Sequence, residues 1–120
     1  MTNKEFIKYH TTLCDRLKDI AKAKSHDYSQ DEDVFANFKS IEVLDVCTTE
    51  QGFLTRMLDK FNRVKSFTKR GILKVEDEKI EDTLLDLANY SILLAAYIKD
   101  KKDNTISDVK FEKLPLKSNN

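Results

Sequence analysis

The sequence predicts an all-α fold: a bundle of about four helices followed by a short irregular C-terminal tail. Two Gly and one Pro among 120 residues are too few for the turns of a many-stranded β fold. Apolar residues recur at three- and four-residue steps in successive segments, which is the period of an amphipathic helix. Two of these segments also begin with the spacing of a capping box. At 14.0 kDa, the chain is long enough to bury one core.

The first predicted helix begins at Thr2-x-x-Glu5 and runs to about Lys24. Its apolar side comprises Phe6, His10, Leu13, Leu17, Ile20 and Ala21. A polar break over residues 25–33 separates it from a brief second helix. The apolar residues of that second helix are Val34, Phe35, Phe38, Ile41 and Leu44.

The third predicted helix opens at Thr48-x-x-Gln51 and stops at Gly71. Its predicted buried face comprises Leu54, Met57, Leu58, Phe61 and Val64. The fourth helix runs from about Asp77 to Lys101. Its second half is apolar almost all round, so we expect it to be the central helix. We therefore divide the chain into a helical domain, 1–102, and a tail, 103–120, interrupted by Pro115.

Charge and hydropathy exclude several classes of function. Lys plus Arg (21) balance Asp plus Glu (21), so we expect no electrostatic binding of polymeric nucleic acid. No apolar run reaches membrane-spanning length, and the charged N-terminus lacks a signal sequence. We expect a cytoplasmic protein in which Cys14 and Cys47 are reduced thiols. Since short helices would cover the apolar fourth helix incompletely, we also expect a homo-oligomer.

The strongest candidate site is an acidic stripe on helix four. Glu78, Asp82 and Asp86 stand four residues apart and Asn89 follows, so all four lie within an arc of about 80°. An apolar face continues this arc, so the acids should point partly inward. Converging carboxylates supply the oxygen ligands and negative charge that Mg²⁺ requires. The alternative is an exposed acidic helix N-terminus, which accounts less well for Asp86.

Helix three carries a basic face made of Arg56, Asp59, Lys60 and Arg63 at helical spacing. Taken by itself, this spacing favours a solvated face with an Asp59–Arg63 pair. Beside the acidic stripe, it suggests phosphate binding, with Asp59 as a metal ligand from the facing helix.

The polar break and the second helix contribute candidates for recognising a base or sugar, since aromatic rings can stack on a base and amides can bond its edge. These candidates are Lys24, Asp27, Tyr28 and Asn37.

Four motifs together resemble the phage and prophage family called nucleotide modification associated domain 1: KAKSHDY (22–28), VFANF (34–38), RMLDKFNR (56–63) and DEKIEDTLLDLANY (77–90). More distantly, they are similar to the all-α MazG-like nucleoside triphosphate pyrophosphohydrolases. The likeness spans about residues 1–100. It implies a helical bundle, often oligomeric, that binds or acts on nucleotides.

In MazG-like enzymes, acids on two neighbouring helices hold magnesium while water attacks the triphosphate. By position, Glu78, Asp82 and Asp86 match the acids of the later helix. On the earlier helix those enzymes carry an ExxE pair, where this chain has RMLDK with Asp59 as the lone acid.

The first expectation is therefore a Mg²⁺-dependent nucleotide pyrophosphohydrolase or a close relative. The expected metal ligands are Glu78, Asp82, Asp86 and Asp59; the phosphate ligands are Arg56, Lys60 and Arg63; the base or sugar contacts are Lys24, Asp27, Tyr28, Asn37 and Asn89. The alternative is a non-catalytic binder that sequesters a nucleotide, for example a cyclic signal in phage counter-defence. The missing acidic pair favours this binder. A helical interaction module without a small ligand is a third hypothesis, which the inward acids disfavour.

Overall fold

A computed structural model describes the backbone of residues 1–27, 33–70 and 77–117 and the side chains of 1–24, 33–70 and 80–105. These ranges contain four helices: α1 (Asn3–Asp27), α2 (Ala36–Val43), α3 (Thr49–Arg70) and α4 (Asp77–Lys117). All regular secondary structure in these ranges is α-helical, which confirms the predicted fold class.

Both predicted capping boxes form. The Thr2 amide donates to Glu5 Oε2 at 2.9 Å, and the Glu5 amide donates to Thr2 Oγ1 at 3.1 Å. The same reciprocal bonds join Thr48 and Gln51 at 3.0 and 3.1 Å. Each box supplies side-chain acceptors to two backbone N–H groups at the start of a helix. These short motifs therefore fix where α1 and α3 begin.

α4 is the central helix, as predicted: α1 and α3 pack against it, and α2 packs against α3. The core is a cluster of aromatic side chains. Phe38 stacks on Phe53 with ring centroids 3.9 Å apart, and Tyr97 meets the edge of Phe35 at 5.3 Å. Phe53 is fully buried, so this cluster anchors α2 and α3 on α4.

The buried face of α3 differs from the predicted one. Leu54, Leu58 and Phe61 were expected in the core, but they are 54%, 49% and 56% exposed. The helix instead turns Phe53 inward, with Met57 and Val64 partly buried. The two apolar stripes lie about 100° apart on the same helix, and helical spacing does not distinguish them. Packing on α4 selected the stripe that contains Phe53.

In one respect the C-terminal segment differs from the prediction. Helix four was expected to end near Lys101, with an irregular tail from residue 103, yet α4 is helical to Lys117. Extending an existing helix needs no new nucleation, so favourable residues such as Lys, Glu and Leu can prolong it. The resulting helix of 41 residues accounts for the 64 Å long axis of the molecule.

Within the described ranges, none of the helices combines the length and the hydropathy that a bilayer crossing requires.

Candidate functional site

All four helices border a cavity of about 330 Å³. This volume is at the lower end of the usual range for small-molecule sites, roughly 300–1,000 Å³. One part of the wall is apolar, and the rest carries cations, amides and a carboxylate. The lining residues are Ala21, Lys24, Val34, Asn37, Phe38, Arg56, Asp86, Asn89, Tyr90, Ile92, Leu93 and Ala96.

Two cations of the cavity lie over aromatic rings. The Lys24 Nζ is 5.9 Å from the centroid of Tyr90, and the Arg56 Cζ is 5.4 Å from the centroid of Phe38. Cation–π contacts of this kind contribute about 0.5–1 kcal/mol at exposed sites. Within the described residues, neither cation forms an ion pair with a carboxylate. Both positive charges therefore remain available to a ligand.

The carboxylate of the cavity, Asp86, forms an ion pair with a lysine on the neighbouring helix. Lys60 Nζ on α3 lies 3.1 Å from Asp86 Oδ2 on α4. The Lys60 side chain is 16% exposed and the Asp86 side chain 33% exposed, so water screens this pair less than a surface pair. One turn further along α4, the Asn89 Nδ2 is buried and has no hydrogen-bond partner. A buried amide without a partner costs about 1–3 kcal/mol, which an acceptor on a ligand would relieve.

The other acids predicted as metal ligands also have cationic partners. Asp82 Oδ1 accepts from Arg16 Nη2 at 3.2 Å, and the same guanidinium binds Glu81. Asp59 Oδ2 lies 3.4 Å from Arg63 Nη2 on its own helix. The side chain of Glu78 lies outside the described residues.

These partners remove the charge surplus on which the magnesium hypothesis depended. Among the described side chains, no three His, Cys, Asp or Glu residues are grouped as metal ligands. To hold Mg²⁺ together, Asp82 and Asp86 would have to give up Arg16 and Lys60. The predicted magnesium site, with Glu78 among its ligands, therefore stays a prediction. The sequence could not reveal Arg16 as a partner because it lies 66 residues from Asp82.

Five of the predicted ligand-binding residues meet in the cavity: Lys24, Asn37, Arg56, Asp86 and Asn89. Lys60 is not a lining residue, but it pairs with Asp86, which lines the cavity. Arg63 and Asp59 pair with each other on the exposed side of α3. Asp27 is the last residue of α1, and its side chain lies outside the described part. Tyr28 lies outside it altogether.

The apolar wall was missed as part of the site. Tyr90, Ile92, Leu93 and Ala96 lie on α4 within or just after the matched motif, and their composition suggested core. Ile92 is 58% exposed in the fold, but in the sequence it stands in a segment that is apolar almost all round, so no sequence signal separates it from core residues.

The comparisons with known proteins agree with the motifs of the second half of the chain. The family described as nucleotide modification associated domain 1 matches residues 51–108, which cover most of α3 and the larger part of α4. The curated proteins and the solved structures yield no match. The more distant similarity to MazG-like enzymes therefore has no support in these comparisons. Over residues 51–108, the chain is therefore similar to the family described as nucleotide modification associated domain 1.

Proposed function

We propose that the chain binds a nucleotide in the cavity between its four helices. The observation that carries the proposal is the composition of the wall: two cations without carboxylate partners, two amides and an apolar surface converge on about 330 Å³. Since Lys24, Asn37, Arg56 and Asn89 come from four different helices, it is the fold that brings them together. Lys24 and Asn37 precede the segment matched by the family, whereas Arg56 and Asn89 lie within it, so the proposed site extends beyond that segment.

The wall suits the two chemical halves of a nucleotide. A base is a flat apolar surface with a polar edge, so it can lie against Ile92 and Leu93 while an amide bonds its edge. The partnerless Asn89 amide donates to a base nitrogen or carbonyl in this arrangement. Lys24 and Arg56 bind phosphate oxygens, for which guanidinium geometry is especially suitable.

Binding without hydrolysis agrees better with the geometry than catalysis. A metal-activated water requires carboxylates that are free to coordinate the ion. Asp59, Asp82 and Asp86 are each engaged by a cation. The geometry thus favours the alternative hypothesis from the sequence, in which the protein sequesters a linear or cyclic nucleotide without cleaving it.

Calorimetry with the full chain and a panel of linear and cyclic nucleotides tests the proposal. Arg56→Met keeps the aliphatic stem and removes the charge, so it should weaken binding at least tenfold. Lys65→Met, which removes an exposed charge on the same helix outside the cavity, is the matched control. If no nucleotide binds, the proposal is wrong.

Chromatography after incubation with Mg²⁺ then separates binding from hydrolysis. We expect intact ligand to be recovered once the protein is denatured. Release of pyrophosphate, or of any other cleavage product, would instead support the pyrophosphohydrolase hypothesis.

A further inference from the structure

We infer that the ligand of the cavity carries one or two negative charges, as a nucleoside monophosphate or a cyclic phosphodiester does, and that it binds without a metal ion. This inference rests on the proposed nucleotide site and specifies its ligand. A phosphate monoester carries about −1.5 to −2 charges at pH 7, and a phosphodiester carries about −1. A triphosphate carries more charge than either.

The balance of charges in the wall supports this ligand class. The cavity is lined by three charged side chains, Lys24, Arg56 and Asp86. Lys60 neutralises Asp86 at 3.1 Å, so that lysine has no charge to spare for a ligand. Lys24 and Arg56 remain, and two positive charges match one phosphate monoester.

Both cations line the cavity, and the aromatic rings beneath them adjoin. Lys24 lies over Tyr90 and Arg56 lies over Phe38, and these two rings meet edge to face with centroids 6.3 Å apart. In the inferred complex, the two charges act on one phosphate group. Their contact with the rings also holds the charges near the cavity before a ligand arrives.

The additional charge of a triphosphate would lack a partner. Lys60 contacts the cavity wall at Asp86, and recruiting it for a ligand would leave the Asp86 carboxylate partly buried beside the phosphates. Like charges in such a place repel strongly because little water screens them. Arg16 and Arg63 are bound to acids of their own, and neither lines the cavity.

Calorimetry in EDTA at fixed ionic strength provides the test. The nucleoside, its 5′-monophosphate, its cyclic monophosphate and its triphosphate are titrated into the full chain for each common base. We expect the monophosphate or the cyclic diester to bind at least tenfold more tightly than the nucleoside. The triphosphate should bind no more tightly than the better of those two.

The outcomes distinguish this inference from the proposed function. If the triphosphate binds tenfold or more tightly than both smaller ligands, the inference is overturned and the nucleotide site stands. Equal binding of nucleoside and nucleotides also overturns it. If nothing binds in EDTA but a nucleotide binds with Mg²⁺, the metal-free inference is overturned and the nucleotide site stands. If nothing binds with or without Mg²⁺, both are wrong.

A charge-releasing variant provides a second test. Asp86→Asn frees Lys60, so the cavity gains a third available cation. The affinity for triphosphate relative to monophosphate should rise about tenfold. Asp103→Asn is the matched control, because it makes the same change in an exposed Lys99 pair on the same helix, away from the cavity. A folded Asp86→Asn protein with unchanged preference would contradict the assignment.

Discussion

Lys60 on α3 and Asp86 on α4 form an ion pair, with 3.1 Å between Nζ and Oδ2. The pair joins the two helices that pack most extensively against each other. Asp86 lines the cavity, so the pair belongs both to the α3–α4 contact and to the candidate site. The aromatic core also joins these two helices, since Phe53 of α3 contacts Tyr97 of α4. A change in this pair should therefore affect both stability and ligand preference.

Removal of either partner should destabilise the fold. Lys60→Met leaves the Asp86 carboxylate without a cation, and Asp86→Asn leaves the Lys60 ammonium without an anion. Because both groups are partly buried, we expect each variant to cost about 1–2 kcal/mol, between the values for surface and buried pairs. The double variant should cost less than the two single variants together, because it leaves no uncompensated charge. Urea unfolding of the four proteins measures this coupling. Strict additivity would show that the two side chains do not interact.

Asp82→Asn should have little effect on the apo protein. Asp82 is 65% exposed, and Arg16 retains Glu81 when the Asp82 charge is removed. We expect the free energy of unfolding in EDTA to change by less than about 0.5 kcal/mol. Melts with Mg²⁺ and nucleotide then test the metal hypothesis. A Mg²⁺-dependent stabilisation that is present in the wild type and lost in this variant would support a magnesium site and contradict metal-free binding.

The start of α2 should lose stability in acid. Asp33 accepts hydrogen bonds from Lys39 Nζ at 2.6 Å and from the amide of the buried Phe35 at 2.9 Å. These bonds hold the pKa of Asp33 below its ordinary value of 3.8. A lowered folded-state pKa means that the stabilisation is complete above about pH 4 and is lost as pH falls through the folded-state value. Because the side chain is 43% exposed, the effect should stay below about 1 kcal/mol.

Comparing thermal melts of the wild type and Asp33→Asn from pH 2 to pH 6 isolates this contribution. The difference between the two proteins should be largest above pH 4 and shrink towards pH 2. A difference that grows as the pH falls would have the wrong sign.

Asp45→Gly should stabilise the turn between α2 and α3. Asp45 has a φ of 60°, and the Val46 amide donates to the Ile41 carbonyl at 3.1 Å, as in a Schellman motif. Gly adopts this left-handed conformation without steric cost, although it also increases the entropy of the unfolded chain. We expect a net gain of about 0.5–1 kcal/mol in chemical denaturation. Asp45→Ala, which cannot relieve the strain, should give no gain.

The chain should form a homo-oligomer. Its radius of gyration is 19.3 Å, against about 14 Å for a compact domain of this length, and Leu54, Leu58 and Phe61 form an exposed stripe on α3. Light scattering at micromolar concentration should give a multiple of 14.0 kDa. Leu58→Glu should lower this mass, because a charge in an apolar interface is costly. A wild-type monomer would contradict the expectation.

Local physical chemistry was sufficient to predict much of the fold. The capping boxes at Thr2 and Thr48 depend on residues three positions apart, so the sequence was sufficient to predict where α1 and α3 begin. The spacing of apolar residues likewise predicted α2. The second half of α4, which is apolar almost all round, predicted that this helix is central. Helical geometry likewise grouped Asp86 with Asn89, and both line the cavity.

What depended on tertiary structure was the choice among faces and partners. α3 has two apolar stripes at valid helical spacing, and packing against α4 buried Phe53 and left Leu58 half exposed. The acidic stripe was read as lacking cations, yet Arg16 and Lys60 reach it from other helices. Sequence alone determines contacts within a few turns, because helix geometry fixes them. Which distant side chain neutralises a carboxylate depends on how the helices pack, and that packing pairs Asp82 with Arg16 and Asp86 with Lys60.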